Sequence, residues 1–532
     1  MNHLLGKIGY QILVLHAHLP YVRHEGYFPP MIEENWLNEA ICETYLPLLR
    51  SFREMRSTGT NFKITMSFTP PLISMLKDPY LQNNFLKYIE KLIELSEKEK
   101  TRTTFDAHLN YLSSYYHERF VETKKLFLEL DKDITNGFLE FYQEGNLEII
   151  TCTATHGFLP YLESEPSSVR AQISIGRKKH RETWGQDPRG IWLAECGYFK
   201  NAEKYLADEG FRYFFVDSHS IINSVPRPKF GVYAPIEIGN GLFAFGRDQK
   251  SSSQVWSAKE GYPGDYRYRE YYRDIGFDLD YDYIKDYIHP TGIRYNTGIK
   301  YHRITGKTAY KEYYQPDWAK EASGLHAEDF LKSRIAQSRQ FFEEEGRPAV
   351  IVSPYDAELY GHGWYEGPMF LEFLFKKMHF DQNEIISIHP MQALGLIPKI
   401  QSVQMEMSSW GEGGYGDVWL NASNEWIYKH ILECSISMNE LAHKFYNTSN
   451  EIEVRILQQM ARELLLLQSS DWPFIMKTGT VVGYAVRRIK VHTNLFLELK
   501  EMILSKKFDI ERIDEIEKEH PIYDSIDYKI FC

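Results

Sequence analysis

Two acids in this chain stand at the ends of apolar runs. Glu195 follows Gly190-Ile191-Trp192-Leu193-Ala194 and leads into Cys196-Gly197-Tyr198-Phe199; Asp356 follows Ala349-Val350-Ile351-Val352-Ser353-Pro354-Tyr355. Each run reads as a buried parallel strand that delivers a carboxylate at its C-terminal end, where barrel enzymes keep their chemistry. Either acid alone could equally cap the next helix or pair with an arginine. Two of them together, in aromatic surroundings, suit a glycosidic bond worked on by a pair of carboxylates. Histidines gather in the same kind of place. His16 and His18 close the first strand in His16-Ala17-His18-Leu19-Pro20-Tyr21, and His156 lies beyond the third in Thr155-His156-Gly157-Phe158-Leu159-Pro160. The period of two puts His16 and His18 on one face. Metal ligands, substrate hydrogen bonders and core histidines are all open readings for them. Zinc would need a further ligand, and no HExxH spacing is present.

The elements that must hold these residues repeat as strand, helix, strand. Strands are expected at 8–15, 63–68, 147–152, 190–194, 213–216, 232–236, 242–248, 349–356 and 385–390, with helices at 36–56, 168–184, 201–209 and 325–345. Some seven such repeats imply a parallel sheet, and at this length an α/β barrel. An open doubly wound sheet is the alternative, but no GxGxxG marks a switch point. Residues 79–145 are helical and charged, too long for a crossover, and read as a helical insertion. Residues 249–320 are loop-rich and aromatic, the kind of segment that lines active sites. Beyond 400 the helical period takes over, at 424–446, 451–469, 483–505 and 509–519. The expected division is a catalytic barrel over 1–400 and a helical domain over 401–532 that reaches the substrate cleft. Trp410 and Trp419, in a Gly-rich loop, read as cleft wall, since Trp favours sites where one edge stays wet.

Composition narrows the class. A net charge of -12 argues against a nucleic-acid partner, which needs a basic footprint. No apolar run is long enough to span a membrane, and residues 1–7 lack the apolar stretch of a signal peptide. The five cysteines, an odd number without a CxxC, suit reduced thiols in a cytoplasmic protein. The 15% aromatic content is unusual, and many of these rings fall in loops where core packing explains them poorly. Exposed flat faces suit the apolar faces of sugars.

Taken together, His16-Ala17-His18-Leu19-Pro20, Thr155-His156-Gly157-Phe158-Leu159-Pro160, Trp192-Leu193-Ala194-Glu195-Cys196, Asp356-Ala357-Glu358-Leu359-Tyr360-Gly361-His362 and the stretch from Trp410 to Trp419 resemble the five signature regions of glycoside hydrolase family 57. The likeness spans nearly the whole chain, including Asp471-Trp472-Pro473, and is greatest to the family's 1,4-α-glucan branching enzymes and α-amylase-like members. It implies a (β/α)7 barrel with a helical insertion and a helical C-terminal domain. It implies a retaining mechanism, with Glu195 as nucleophile and Asp356 as general acid/base. His16, His18 and His156 would surround the sugar rather than a metal; Phe277, Trp410 and Trp419 would line the acceptor cleft, and Asp471 would be a further sugar contact. No cofactor is implied. The expected partner is an α-1,4-glucan such as amylose, glycogen or a starch-like chain, and the expected state is a monomer or small homo-oligomer.

One departure concerns water. Branching members carry a mobile loop whose Tyr shields the covalent intermediate; here the chain runs Ile236-Glu237-Ile238-Gly239-Asn240-Gly241 without one, and Tyr262 is a conceivable stand-in. An α-amylase or 4-α-glucanotransferase is therefore the alternative within the family. A metal-dependent polysaccharide deacetylase, which also sets His and Asp at strand ends, and a non-catalytic glucan-binding protein are the alternatives outside it.

Overall fold

The computed structural model describes residues 6–257 and 260–532. Residues 1–5, part of the segment read for a signal peptide, lie outside the described residues. The strands are β1 (Gly9–Ala17), β2 (Ile64–Phe68), β3 (Leu147–Cys152), β4 (Gly190–Trp192), β5 (Tyr213–Val216), β6 (Ile236–Glu237), β7 (Phe243–Gly246), β8 (Ala349–Asp356), β9 (Ile385–Ser387) and β10 (Gln401–Ser402). Every residue of β1 and β2 is buried. Strands covered on both faces must be apolar almost throughout, which is why they read as runs rather than alternations.

The sheet runs β7-β5-β4-β3-β2-β1-β8, parallel throughout. At its ends, the backbone N–H of Asp248, two residues past β7, donates to the Val352 carbonyl of β8 at 2.8 Å. The curled sheet thus brings seven parallel strands into the expected (β/α)7 arrangement. β9 pairs with the N-terminal end of β1. β6 lies antiparallel to β7, and β10 lies beside β6. Inside the ring polar groups pair: Gln11 Nε2 donates to Ser353 Oγ at 2.9 Å.

Residues 79–145 fold as three helices, Pro79–Arg102, Ala107–Glu129 and Thr135–Gln143. The carboxylates of Asp78 and Asp106 accept from the first-turn amides of the first two. The helix read over 325–345 starts earlier, at Pro316, since proline fits a first turn without losing a bond. Two other expectations fail. Val232 lies in a 3-10 turn, Gly231–Tyr233, and the strand beyond is only the two residues of β6. The segment expected as loop from 249 opens instead with a helix, Gln249–Trp256, capped by the Asp248 carboxylate on the Ser251 amide at 2.7 Å.

Beyond Trp426 the described chain is helical: Trp426–Lys444, Glu451–Leu467, Asp471–Thr478, Val482–Ser505 and Ile510–Glu519. This part is stitched to the barrel mouth at the loop after β3, where the Ser470 amide donates to the His156 carbonyl at 3.0 Å and Thr155 Oγ1 donates to the Leu465 carbonyl. None of the described helices is long and apolar enough to cross a membrane.

Candidate active site

Glu195 sits just past β4 with a left-handed backbone, φ 61° and ψ 24°. Cys196 and His156 also have positive φ, at 52° and 57°. Non-glycine residues held there cost about 1–3 kcal/mol each and persist where the surroundings over-determine them. Here the surroundings do: the Trp410 amide donates to the Glu195 carbonyl at 2.9 Å. Both carboxylate oxygens are also held. Trp410 Nε1 donates to Oε2 at 2.7 Å, and Ser470 Oγ donates to Oε1 at 2.9 Å. The carboxylate is thereby fixed in orientation by one residue from the Gly-rich loop and one from the helical part.

A line of rings backs it. His16 Nδ1 meets Ser67 Oγ at 3.2 Å and His16 Nε2 meets His156 Nε2 at 3.0 Å, while His156 Nδ1 meets Ser470 Oγ at 2.8 Å. Burial, with neighbouring imidazoles, holds both His16 and His156 well below the ordinary histidine value, so both are neutral. One direction of donation then satisfies every atom: Ser67 to His16, His16 to His156, His156 to Ser470, Ser470 to Glu195. His16 also stacks on Trp192 at 4.7 Å, and His18 on His156 at 3.8 Å. His18 shifts the other way. Burial alone would lower it, but the carboxylates of Asp471, Glu195 and Glu358 outweigh burial and raise its pKa. Its Nε2 donates to Asp471 Oδ1 at 2.9 Å, and its Nδ1 meets Thr69 Oγ1 at 2.9 Å. Burial would raise Asp471 in turn; the His18 contact lowers it.

Asp356 ends β8 and pairs in register with His16. Burial, then the charges of Glu358 and Glu195, raise its carboxyl to about 8, with His18 and Arg247 pulling the other way. Burial raises Glu195 to about 7, offset in part by the bonds from Trp410 and Ser470. Between about pH 7 and pH 8 Glu195 is the more ionised of the two and Asp356 the more protonated, the order that acid and base roles require. Glu358 is itself fixed: it accepts from the His18 amide at 3.1 Å and from the Tyr45 hydroxyl. Tyr45 closes a π-turn, Ile41–Tyr45, over which the Asp356 loop passes. At Gly361 (φ +125°) a Cβ would lie 1.8 Å from the Glu43 carbonyl, so only glycine fits.

The structure thus brings together His16, His18, His156, Glu195, Asp356, Trp410 and Asp471. One of the expected residues takes another place. Trp419 is 1% exposed, stacked on Phe158 at 5.0 Å, and offers no face to a sugar. Packing against a neighbouring ring won over exposure in a Gly-rich loop, so Trp419 backs the cleft wall. Phe277 stands half-exposed on the short helix Ile275–Asp278, its backbone tied to Asp274 and Arg294. Tyr262 is no free lid residue: it is buried, stacked on His326 at 4.6 Å, with its hydroxyl on Asp329 at 2.6 Å. Sequence reasoning missed Ser470, Glu358 and Arg247 as parts of the site. Only the adjacency of Ser470 to Asp471 could have pointed to the first.

Two clusters have the composition of metal sites, His18-His156-Asp471 and Glu463-His492-His520. In the first, the ring nitrogens already have partners within the protein. In the second, the Glu463 carboxylate bridges His492 Nδ1 at 2.7 Å and His520 Nδ1 at 2.9 Å, and Arg488 donates to His520 Nε2 at 3.2 Å. The Glu463 carboxylate and the Arg488 guanidinium carry opposite charges there, and these bonds tie three helices together. Exhaustive dialysis against a chelator is expected to leave turnover and melting temperature unchanged; a loss restored by zinc would make one of these clusters a metal centre.

Comparisons with known proteins agree with this geometry. Residues 12–354 match the model of glycosyl hydrolase family 57, and residues 430–531 match that of the 1,4-alpha-glucan branching enzyme C-terminal domain. A 1,4-alpha-glucan branching enzyme of Thermococcus kodakarensis is 32% identical, the alignment covering 96% of this chain and 76% of that protein. Among solved structures, an alpha-amylase from Thermotoga maritima superposes with a TM-score of 0.93 at 44% identity, covering 98% of this chain and 99% of that one. A branching enzyme from Pyrococcus horikoshii superposes with a TM-score of 0.88 at 32% identity, covering 98% and 97%. With the family model matched over residues 12–354 and a relative 32% identical over 96% of this chain, the chain belongs to glycosyl hydrolase family 57.

Proposed function

We propose that this protein is a retaining α-glucan-active enzyme of the 1,4-α-glucan branching type. Asp356 protonates the departing glycosidic oxygen while Glu195 attacks the anomeric carbon. The C–O bond to the leaving chain breaks as the bond to Glu195 forms. Asp356, now ionised, next takes the proton of a 6-hydroxyl on a second chain. That oxygen displaces Glu195 and leaves an α-1,6 branch. The observation that carries the transfer reading is the match of residues 430–531 to the branching-enzyme C-terminal domain, because that part supplies Ser470 and Asp471 at its edge nearest the carboxylates. On this reading residues 1–400 form the catalytic barrel and 401–532 a domain that completes the cleft. The product belongs to glycogen-type polymer synthesis, in the cytoplasm.

A second reading has its own support. The alpha-amylase of Thermotoga maritima is the more similar of the two solved structures described, and the turn between β6 and β7 is only five residues, 238–242. Where nothing excludes water, the intermediate is hydrolysed. Incubation with amylose separates the readings. Branching lowers iodine staining, and new reducing ends appear only after enzymatic debranching; hydrolysis produces reducing ends at once. Reducing ends that are not increased by debranching would overturn the branching reading.

A further inference from the structure

A cavity of about 410 Å³ opens between the helix Pro166–Trp184 and the tail that follows the helix Ile510–Glu519. Its size falls within the roughly 300–1,000 Å³ of small-molecule sites, which favour seams of this kind. The helix supplies Arg177, Lys178, Lys179 and Arg181, and the tail supplies Lys529. Five cations around one opening stand out in a chain of net charge -12. Three carboxylates share the lining, and each is already engaged. Glu209 accepts from Arg177 Nη1 at 3.1 Å and from the Ser174 hydroxyl. Glu182 accepts from Ser525 Oγ at 2.9 Å, and Asp527 from the Lys529 amide at 3.0 Å.

The cations are less well matched. Arg177 is paired on both sides, with Glu209 and with Asp187 at 3.0 Å. Arg181 reaches Asp187 only at 4.0 Å, and its side chain is more than half exposed. Lys178 Nζ donates to the Ser525 carbonyl at 2.5 Å, a neutral acceptor. Lys529 Nζ lies 4.9 Å from the Tyr446 ring. Among the described residues, neither Lys529 nor Lys179 has a carboxylate within 4.0 Å. Burial holds Lys179 below the ordinary lysine value, and Glu182 and Asp524 offset it only in part. A group with several anionic oxygens would complete more than one of these donors at once. Phosphate is such a group, and arginine and lysine are its usual binders. Ile175, Ile526 and Ile530 complete the lining, apolar surface that suits the C–H face of a sugar rather than a second charge. The tail is pinned here as well. Tyr523, at φ 60°, donates its hydroxyl to the Ala154 carbonyl beyond β3, and Arg170 Nη2 donates to the Cys532 carbonyl at 2.7 Å. A ligand held from both sides would tie the tail to the barrel two residues before His156.

We propose that this cavity binds a small phosphorylated sugar, its phosphate taken by Lys178 and Arg181, neighbours on one helix face, and by Lys529 from the tail. The site stands apart from Glu195 and Asp356, so its test leaves the choice between transfer and hydrolysis untouched. Titration calorimetry on the full chain uses glucose 6-phosphate, inorganic phosphate and glucose as probes. Glucose 6-phosphate is expected to bind about tenfold more tightly than inorganic phosphate. Arg181→Ala and Lys529→Ala are each expected to raise its Kd about tenfold, the loss of one charge-assisted bond. Glucose 6-phosphate should also raise the melting temperature of wild type, because it binds only the folded chain. That rise should disappear in the double variant, whose melting temperature without ligand checks its fold; the single variants carry the test if the double variant fails to fold. Equal Kd values in wild type and variants would place the ligand in the glucan cleft and overturn the assignment. Equal affinity for glucose 6-phosphate and inorganic phosphate would do the same, since it marks a surface that gathers any anion. Absence of binding at millimolar glucose 6-phosphate would leave no site at all.

Discussion

Replacing Glu195 by Ala is expected to lower turnover by at least about 10⁴-fold, or some 5.5 kcal/mol of barrier at about 1.36 kcal/mol per tenfold. Both of its carboxylate oxygens are held for attack, by Trp410 and Ser470. Asp356→Ala should cost as much on amylose, whose leaving group needs a proton, but far less on an α-glucosyl fluoride, whose leaving group does not. Azide separates the two roles by stereochemistry. In Glu195→Ala the vacated space admits azide, which attacks the α-linked substrate directly and gives the β-azide. In Asp356→Ala the covalent intermediate still forms from the fluoride; azide then displaces Glu195 and gives the α-azide. The checks are rates on both substrates and the anomeric configuration of the products by NMR. Azides of the same configuration from both variants, or a Glu195→Ala protein with near-normal turnover, would remove Glu195 from the role of nucleophile.

The parts of this site carried by local rules were readable from the sequence. A strand buried on both faces is a contiguous apolar run, so Val350 to Tyr355 announced both β8 and the acid that ends it. The same grammar located Glu195, although β4 itself is only Gly190–Trp192 and the acid lies in a left-handed turn that no periodicity encodes. What stayed hidden is contact between remote segments. Ser470 reaches Glu195 across 275 residues, and Tyr45 reaches Glu358 across 313. Serine and tyrosine hydroxyls are common enough in loops that their type alone singles out neither. Trp419 shows the opposite failure. The glycines ahead of it, Gly411 to Gly416, suggested an open loop, but Phe158 offered it a face and the ring was buried. Trp256 falls in the stretch 249–320 read as loop-rich; an Asp248 cap and contacts with β8 made its first residues a helix. Tertiary contacts override weak local preference in both cases.

Removing either donor to the nucleophile is expected to close the pH window in which the enzyme works. Turnover requires Glu195 ionised and Asp356 protonated, so kcat/KM should fall below about 7, as Glu195 gains a proton, and above about 8, as Asp356 loses one. Trp410→Phe keeps the ring and deletes the N–H; Ser470→Ala deletes the hydroxyl. Both bonds favour the ionised form of Glu195, so their loss raises its pKa further. A hydrogen bond to a charged group is worth about 1.5–3 kcal/mol, and about 1.36 kcal/mol moves a pKa by one unit. The acid limb should therefore move up by about 1–2 units, past the alkaline limb. That limb has no reason to rise with it, because a protonated Glu195 no longer pushes Asp356 upward. With the order of the two carboxyls reversed, only a small fraction of the protein carries the productive pair of states at any pH. Peak kcat/KM should drop by about 2- to 10-fold, as the fraction with Glu195 ionised and Asp356 protonated falls from about 0.6 to between about 0.25 and 0.06. A variant that had merely loosened the fold would lose rate evenly across the profile with its limbs in place. Profiles for wild type, Trp410→Phe, Ser470→Ala and Ser470→Thr decide the matter. The threonine hydroxyl should restore the acid limb toward about 7, and an unmoved limb in Ser470→Ala would deny that this hydroxyl governs the charge on Glu195.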